Sequence, residues 1–448
     1  MKAWERVLFM LGLMALAYAG GIATGKYQLW PYGPLNEAKD AAEALWITYF
    51  PDEIPEFNSP FVKGGVTRFD PERAQDGFTF IPLRDNEGMG AILVDMRGRV
   101  LHRWSLSFSD VFPGDAPHII SRASDDHIAW HGVQLFPNGD VLLNLEGGNF
   151  PFGSGLVLID RDSRIKWKVA RNTHHALEVQ PDGTIVVLAH EFLPDGVPAC
   201  NGYVRTPYLA DRLLTVSSDG RELDSFSLAE AFCKSPYRWM MMPFGTYSLK
   251  GVAKPDIEDL QHTNDIEVIR PDQTAVFPMG KAGDYLVSFR NLNLLAVVDR
   301  ETRLIKWALA GQFVRQHDPD ILANGHILLF DNLGATIEGA RPQGRSRVIE
   351  LDPLTQRIVW KYEGGTDPHD VFDAPKGGSV QKLPNGNVLI THGWQGRVIE
   401  VTGDPEPRIV WEYVNVIRSG EGGGYTGLTT DAARFLPGEL PFLDAPQS

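Results

Sequence analysis

The chain has 448 residues, 43% of them hydrophobic and 10% aromatic, a composition that suits one large globular domain or two to three smaller ones. Its net charge of -15 and its pI near 5.3 exclude the basic surface that attracts phosphate backbones, so nucleic acid is not an expected partner. A mean hydropathy of -0.17 excludes a protein with many membrane spans.

The first 25 residues predict a membrane anchor or a signal segment. Lys2 and Arg6 precede an apolar run of about 18 residues, which is close to the shortest length that spans a bilayer. Because cytoplasmic flanks are enriched in basic residues, we expect an inner-membrane anchor with the body in the periplasm. Ala17-Tyr18-Ala19 also resembles a signal-peptidase site, so a cleaved signal and a body secreted to the periplasm remain the alternative.

Residues 26–70 predict a linker or stalk with a short helix, because the run LNEAKDAAEALWITYF at 35–50 contains many helix-forming residues. Further along the chain, Cys200 and Cys233 are the only two cysteines. An even pair in an exported chain favours a disulfide, and two free buried thiols are the alternative. The sequence contains no Cys-x-x-Cys motif, so a cysteine zinc site is not expected.

A repeat organises residues 71–418. Its clearest copies read HGVQLFPNGDVLLNLEGG from His131, HALEVQPDGTIVVLAHEF from His175, HDPDILANGHILLFDNLG from His317 and GSVQKLPNGNVLITHGWQ from Gly378. A fifth copy begins HTNDIEVIRP at His262, and the segment 77–106 supplies a sixth, more divergent one. In each clear copy an Asn-Gly or Asp-Gly pair separates two strands, which predicts a tight hairpin with both turn residues at positive φ.

Two further strands complete each repeat: a third such as GLVLIDRD and a fourth that carries a tryptophan, as in RIKWKV. Four antiparallel strands in a period of about 40 to 55 residues predict an all-β fold, a six-bladed β-propeller, with the tryptophans packed between blades. Residues 228–260 form an insertion rich in aromatics and methionine, which is either a lid or a packed helical brace. Residues 419–448 are expected to be a C-terminal tail that packs on the propeller.

Polar residues recur at equivalent positions of the repeat, and the first strand of each propeller blade lines the central channel. Histidines open four of the first strands: His131, His175, His262 and His317. Polar side chains end four of the second strands: His190, Arg290, Asn332 and His392. Antiparallel pairing returns the end of the second strand to the level where the first begins, so we expect both sets at one mouth of the channel.

A cluster of imidazoles beside guanidinium groups is destabilising unless it binds an anion or a metal. Imidazoles are good metal ligands, but Arg290 and Arg347 would repel a cation, so no metal is expected. In the other chemistry, transfer of an anionic group, Arg and Asn hold the oxygens, a neutral histidine attacks, and a second imidazole protonates the leaving oxygen. The residue types favour group transfer.

Several motifs in order carry a family resemblance. HTNDIEV, LVSFRNLNLLAVVDRETRLIKW, GQFVRQHDPDILANGHILLFDN and SRVIELDP resemble the bacterial arylsulfotransferase family, whose members need no nucleotide sulfate donor. The likeness extends from about Ile128 to Asn415. It implies an exported six-bladed propeller that moves a sulfuryl group from a phenolic sulfate ester to a phenolic acceptor, through a sulfated histidine on the channel axis and without a cofactor.

The resemblance also implies roles for individual residues. The catalytic candidates are His262, His317, His392, Arg347, Asn332 and Arg290. Among them, His262 and His317 lie in the best-matched motifs. His392 is the candidate nucleophile, with His262 or His317 as the alternative. Arg347 and Asn332 are the candidates for holding the sulfuryl oxygens.

The remaining candidates concern substrate binding, and they are His131, His175 and His190 in the channel and Trp239, Tyr237 and Phe244 in the insertion. The three aromatic residues are expected to stack on the phenol ring. A non-catalytic propeller that binds a peptide, a glycan or an anionic ligand at the same mouth is the alternative, with the histidines as a pH-sensitive site. Hydrolysis of sulfate esters, with water as the acceptor, is a variant of the catalytic interpretation.

Overall fold

The computed structural model describes residues 2–27, 29–32, 34, 57–59, 61–114, 116–120, 123–148, 150–200, 204, 206–241, 259–332, 346–365, 372–374, 376–420 and 423–444. Within them the strands form six antiparallel blades around a central channel, so the predicted six-bladed β-propeller is confirmed. The helix-compatible run at 35–50 lies outside the described residues.

Three α-helices occur in the described part of the chain. Helix α1 (Ala3–Tyr27) is long and apolar enough to cross a membrane, a property that signal sequences share. Helix α2 (Phe108–Val111) begins with a capping box, in which the Ser107 and Asp110 side chains each bond to the other's backbone. Helix α3 (Leu228–Cys233) follows the third blade. The apolar helix expected at the N-terminus is therefore present.

Two short strands precede the blades, β1 (Phe57–Ser59) and β2 (Gly65–Phe69). Blade one contains β3 (Phe78–Asp85), β4 (Gly88–Asp95) and β5 (Val100–Ser105). Blade two contains β6 (Ile128–Leu135), β7 (Val141–Gly147), β8 (Gly153–Ile159) and β9 (Ile165–Val169). Blade three contains β10 (Thr173–Val179), β11 (Ile185–Leu193), β12 (Tyr208–Val216) and β13 (Glu222–Ser227).

The second half of the propeller continues in the same order. Blade four contains β14 (Thr263–Val268), β15 (Tyr285–Phe289), β16 (Leu294–Val298) and β17 (Ile305–Ala310). Blade five contains β18 (His317–Ile321), β19 (Ile327–Asp331), β20 (Arg347–Asp352) and β21 (Arg357–Tyr362). Blade six contains β22 (Ser379–Lys382), β23 (Val388–His392), β24 (Arg397–Val401) and β25 (Ile409–Val414). Three strands follow, β26 (Val416–Gly420), β27 (Gly423–Thr426) and β28 (Ala433–Phe435).

Strands from both ends of the chain close the ring. Strand β28 pairs with β3 and is the innermost strand of blade one, and β2 pairs with β25 on the outside of blade six. The predicted propeller limits at 71 and 418 are therefore too narrow, and part of the predicted tail 419–448 belongs to a blade. Each closing strand satisfies backbone groups that an open sheet edge would leave unpaired.

The turns between first and second strands differ from the expected hairpin. In blade two, Phe136 N–H bonds to the Asp140 carbonyl and Gly139 N–H to the Phe136 carbonyl, each at 2.9 Å, so three residues form the loop. Gly139 alone of the Asn-Gly pair has a positive φ, 87°. The prediction of two positive-φ residues was wrong, because this is a type I turn that ends in a left-handed glycine.

The tryptophans of the fourth strands connect neighbouring blades, as their spacing predicts. Trp104 in blade one donates its indole N–H to the Gly139 carbonyl of blade two at 2.9 Å. Trp411 in blade six closes the circle by donating to the Met96 carbonyl of blade one at 3.0 Å. Both rings are fully buried, so each tryptophan fills the core between two blades and satisfies its only polar atom.

The insertion after blade three begins as a packed brace. Cys233, at the end of α3, forms a disulfide with Cys200, which lies in the connection between β11 and β12. Phe232 contacts Phe289 of blade four with ring centroids 4.8 Å apart. Residues 228–241 therefore pack on blades three and four, whereas 242–258 lie outside the described residues.

Candidate active site

The channel mouth, where first strands begin and second strands end, collects most of the predicted histidines. The rings of His131 and His175 have centroids 4.8 Å apart, and those of His175 and His262 are 5.2 Å apart. His317 lies near enough that, besides burial and the Arg290 charge, His262 also lowers its pKa. The mouth therefore brings together the four histidines that were expected from the first strands.

The Asn332 amide fixes the orientation and the tautomer of His317. Its Nδ2 donates to the carbonyls of Ala374 and Gly377 at 2.7 and 2.8 Å, so Oδ1 is the acceptor at 2.7 Å from His317 Nδ1. His317 therefore carries its proton on Nδ1 and has a lone pair on Nε2. Burial and the Arg290 charge hold the pKa of His317 well below its ordinary value, so the ring is neutral.

A buried carboxylate supports His262. Asp259 is fully buried and approaches His262 Nδ1 at 2.5 Å through Oδ2, while its Oδ1 accepts the His262 backbone N–H at 3.1 Å. Burial would raise the pKa of Asp259, but the neighbouring His262 lowers it below its ordinary value, so the carboxylate stays ionised. An ionised Asp259 keeps the His262 proton on Nδ1, and the partly exposed ring can exchange a proton through Nε2.

Arg290 supplies the positive charge between these two histidines. Its side chain is buried, and Nη1 donates to Asn291 Oδ1 at 3.0 Å. Burial and the nearby Arg315 lower the pKa of Arg290 to about 10, whereas Asp259 raises it. The guanidinium therefore remains charged at neutral pH in a site with little water, where its field acts most strongly on an anion.

A second carboxylate, Glu146, bridges His131 and His175 at the mouth. Its Oε2 is 2.9 Å from His131 Nδ1 and accepts the His175 backbone N–H at 2.6 Å. Although burial opposes it, His175 and His131 hold the pKa of Glu146 well below its ordinary value, so it is ionised. Burial lowers the pKa of His131, but Glu146 raises it above its ordinary value.

The backbone at the mouth is strained, which points to a constraint beyond folding. His175, His262 and Arg315 have φ angles of 49°, 42° and 54°, in the left-handed region that side chains other than glycine rarely adopt. Gly132 follows His131 at φ 52°, and a Cβ there would lie 1.8 Å from the His175 carbonyl oxygen. The glycine is required for blades two and three to approach each other at the histidine cluster.

Register explains which second-strand residues reach the mouth. Counted from the first residue of each second strand, Glu146, His190, Arg290 and Asn332 are all sixth. His392 is the fifth residue of β23, so it falls on the opposite face of its strand. There it is fully buried, with its ring 5.1 Å from Phe372, and burial and Arg397 lower its pKa to about 4. The expected equivalence of His392 with the other three is therefore wrong by one position.

Arg347 and Tyr237 have other partners. Arg347 donates Nε to the buried Asp331 at 2.8 Å and Nη2 to the Gln312 carbonyl at 2.9 Å. The Tyr237 hydroxyl donates to the Lys306 carbonyl on β17, the outermost strand of blade four, so its hydroxyl is held at the rim. Trp239 is 54% exposed, and Phe244 lies outside the described residues.

An aromatic residue that no motif indicated lies against the site. The Phe152 ring is 5.9 Å from the His190 ring and 6.4 Å from the His262 ring. It packs with Phe150, Phe192 and Leu209 in one apolar cluster. Asp259 and Phe152 were missed because neither lies in a repeated motif. Glu146 lies in one, and counting the second strands to their sixth residue would have found it.

Comparisons with known proteins add a family assignment. Residues 132–416 match the family described as Arylsulfotransferase (ASST), whereas no curated protein matches significantly. The fold was also compared with solved structures. A protein of unknown function from Bacteroides caccae has a TM-score of 0.46 at 13% identity, over 79% of this chain and 99% of that chain. A streptogramin B lyase has a TM-score of 0.39 at 9% identity, over 81% and 86%.

A virginiamycin B lyase from Staphylococcus aureus has a TM-score of 0.39 at 10% identity, over 85% of this chain and 99% of that chain. Likeness at this level assigns neither an activity nor a ligand. The family match, by contrast, covers more than half of the chain and coincides with blades two to six, which carry the histidine cluster. The chain therefore belongs to the arylsulfotransferase family.

Proposed function

We propose that the protein transfers a sulfuryl group from an aryl sulfate ester to a phenol, and that His317 carries the group between them. The observation that carries the proposal is the Asn332 hydrogen bond, which leaves a neutral Nε2 lone pair on His317 beside the buried Arg290 charge. Family membership supports the reaction class. The assignment of His317 rests on the geometry.

In the first half of the reaction, His317 Nε2 attacks sulfur and the bond from sulfur to the aryl oxygen breaks. The Arg290 guanidinium stabilises the negative charge spread over the sulfuryl oxygens. His262 gives the proton on its Nε2 to the departing phenolate, while the ionised Asp259 stabilises the imidazolium beforehand. The products of this half are a free phenol and a sulfated His317.

The second half reverses these steps. The acceptor phenol gives its proton to His262 Nε2 as its oxygen attacks the sulfur on His317. The bond from nitrogen to sulfur breaks, so the lone pair returns to His317 and the new sulfate ester leaves. Atoms and protons balance over the two halves, and the chain needs only its own residues. Donor and acceptor phenols use one site in turn, which predicts ping-pong kinetics.

Phe152 is our candidate wall for the aromatic ring. Its position near both His190 and His262 puts an apolar ring beside the proton donor, where a phenol oxygen has to lie. Aromatic pairs contribute about 0.5–1.5 kcal/mol beyond the apolar area that they bury. Trp239 and Phe244 remain predictions for the same role on the side of the insertion.

His392 is the alternative nucleophile, which the sequence suggested from its position at the end of a second strand. Its pKa of about 4 also makes it neutral, but its ring is fully buried against Phe372. Arg347, which the motifs assigned to the sulfuryl oxygens, is engaged by Asp331. We therefore rank both residues below His317 and Arg290.

For location, we propose that α1 either anchors the protein in the inner membrane or directs its export, with the propeller in the periplasm. The apolar length of α1 supports this proposal, as does the disulfide, which forms in oxidising compartments. The donor, the acceptor and the membrane are then the expected partners.

The experiment follows nitrophenolate release from 4-nitrophenyl sulfate by the purified full-length protein, with and without added phenol. We expect release that depends on phenol and that falls at least about 1000-fold in His317→Ala. Release without phenol would indicate sulfate-ester hydrolysis. No release with a range of phenols would favour a binding propeller. Loss of release in His392→Ala but not in His317→Ala would assign the nucleophile to His392.

A further inference from the structure

A second cluster of histidines lies within blade three, away from the reaction steps proposed above. His174, His190 and Asp211 lie on the neighbouring strands β10, β11 and β12, and His190 pairs directly with Asp211 across the sheet. Their exposed fractions are 0%, 6% and 0%, so all three are excluded from water. Three adjacent strands of one sheet hold side chains more rigidly than loops do.

Four polar atoms of this cluster lack hydrogen bonds to the described residues. They are His174 Nε2, both ring nitrogens of His190 and Asp211 Oδ1. His190 Nδ1 and His174 Nε2 are 3.0 and 3.5 Å from Asp211 Oδ1, but neither approach has the direction of a hydrogen bond. Buried polar atoms without partners are rare, and several in one cluster indicate a missing ligand.

Asp211 also needs a positive charge nearby. Its other oxygen accepts the Thr263 backbone N–H at 2.7 Å, which orients the carboxylate but does not neutralise it. An isolated carboxylate in a dry interior is strongly unfavourable. The counter-charge is either a proton shared with an imidazole or a metal cation, and the unpartnered nitrogens of both histidines distinguish this cluster from an ordinary ion pair.

We propose that His174, His190 and Asp211 bind a divalent transition-metal ion of the zinc class, through His174 Nε2, one His190 nitrogen and Asp211 Oδ1. Each of the three residues offers one ligand atom, and these three atoms lie within 4.8 Å of one another. Two imidazoles and a carboxylate are a ligand set that Zn²⁺ accepts. This inference is independent of sulfuryl transfer.

Binding requires a local movement of the two rings. The His174 and His190 rings are stacked, with centroids 3.6 Å apart and planes 7° from parallel, so their lone pairs do not yet meet at one point. Tilting both rings towards Asp211 brings the nitrogens onto one ion. The metal would replace a stack of two imidazoles by a cross-link between the first three strands of the blade.

The ion would also influence the channel mouth. His174 Nδ1 is 2.9 Å from His175 Nδ1, so one of these nitrogens donates to the other. A metal on His174 Nε2 places the His174 proton on Nδ1, and His175 must then accept through Nδ1 and carry its proton on Nε2. The metal site would therefore be a positioning element that fixes the tautomer of His175, which faces His131 and His262.

The test has two parts. Elemental analysis measures the Zn²⁺ content of the full-length protein. After chelator treatment, Co²⁺ serves as a spectroscopic probe of metal binding. We expect one equivalent of Co²⁺ per chain, with visible bands of a nitrogen- and oxygen-ligated ion. Asp211→Asn keeps the volume and the acceptor for Thr263 N–H but removes the charge. We expect it to weaken binding at least about tenfold.

Two matched variants locate the ion. His326→Gln alters a histidine that pairs with Glu350 at 2.7 Å on a distant turn, and we expect it to bind Co²⁺ like the unmodified protein. His131→Gln alters the other candidate ligand group, His131, Glu146 and His175. If His131→Gln removes binding and Asp211→Asn does not, the ion lies at that group and the proposal is overturned.

The remaining outcomes also decide the question. Absence of stoichiometric Co²⁺ or Zn²⁺ in the unmodified protein overturns the proposal and leaves a proton as the counter-charge of Asp211. If Asp211→Asn does not fold, His190→Gln replaces it, with the same expected loss. A thermal midpoint that rises with Zn²⁺ but not with Mg²⁺ supports the site without using a variant, and no shift with either ion contradicts it.

Discussion

The mouth and the interior of the channel are built from the same first strands but carry opposite chemistry. The mouth has histidines, Arg290 and two carboxylates that each pair with an imidazole. The interior has carboxylates on the same strands and just before β28: Glu178, Asp265, Glu267, Asp318, Asp320 and Asp431. Opposite charges favour ionisation at the mouth, whereas like charges favour bound protons in the interior.

The interior carboxylates connect the blades. Glu267 of blade four accepts the Ile321 N–H of blade five at 2.7 Å, and Asp318 of blade five accepts the Val380 N–H of blade six at 2.5 Å. Burial, with the Asp431 charge, raises the pKa of Asp318 to about 8. The groups proposed to react therefore lie where opposite charges are balanced, whereas the acidic interior connects neighbouring blades through hydrogen bonds.

The largest expected effect concerns Asp259. Asp259→Asn keeps the shape of the side chain but removes the negative charge that orients His262 and stabilises its imidazolium. We expect kcat to fall by about 1000-fold or more, with KM changed much less. Asp224→Asn, at an exposed pair with Arg303, is the matched control and should retain full activity. If Asp259→Asn is as active as this control, His262 does not act in acid–base catalysis.

The next effect separates Arg290 from Arg347. Arg290→Gln should lower kcat by about 100-fold, because an anion-stabilising donor in a dry site is lost. Arg347→Gln should lower the thermal midpoint, since it removes the ion pair between Arg347 and the buried Asp331 carboxylate, but should lower kcat by less than about 10-fold. The reverse result, a stable but inactive Arg347→Gln, would restore the role that the motifs assigned to Arg347.

The smallest expected effect tests the channel interior. Burial, with the nearby Glu267 adding to it, raises the pKa of Glu178 to about 7. A raised acid pKa stabilises the fold at low pH, and this contribution is lost as the pH rises from about 4.5 through 7. Glu178→Gln mimics the protonated form, so it should be more stable than the unmodified protein at pH 8. We expect a difference in unfolding free energy of about 1 kcal/mol, less than the full pKa shift would give, because channel water partly solvates the carboxylate.

Calorimetric melting over this pH range measures the difference. Below pH 4.5 the two proteins should melt together. Glu72→Gln, at an exposed position, is the control and should follow the unmodified protein at every pH. A Glu178→Gln variant that is less stable at pH 8 than at pH 4, relative to the unmodified protein, would mean that the fold lowers the pKa of Glu178.

Local patterns predicted much of the fold, because five of the six blades carry a fourth-strand tryptophan and four share the turn glycine. The ring closure could not be predicted in the same way. Phe78 and Phe435 pair with each other although they lie at opposite ends of the propeller's sequence. In addition, neither β2 nor β28 has the full pattern of a repeat. The turn conformation was also wrong, since the Asn-Gly pair alone does not distinguish a two-residue hairpin from a three-residue loop.

The site was predicted where residues recur and missed where they do not. The four first-strand histidines converge as expected, and Asn332 was identified as a functional candidate but for a different role. Asp259 precedes β14 in an irregular segment, and its contact with His262 depends on a local turn that no periodicity reveals. His392 was misaligned because a shift of one residue reverses the face of a strand.

The central claim is that His317 carries the sulfuryl group, and trapping that intermediate tests it most directly. The full-length protein is mixed with excess 4-nitrophenyl sulfate without an acceptor, quenched under alkaline conditions and analysed by peptide mass spectrometry. We predict an added mass of one SO₃ on His317, which disappears when phenol is added before the quench. An SO₃ adduct on His392 or His262, with His317 unmodified, would contradict the account.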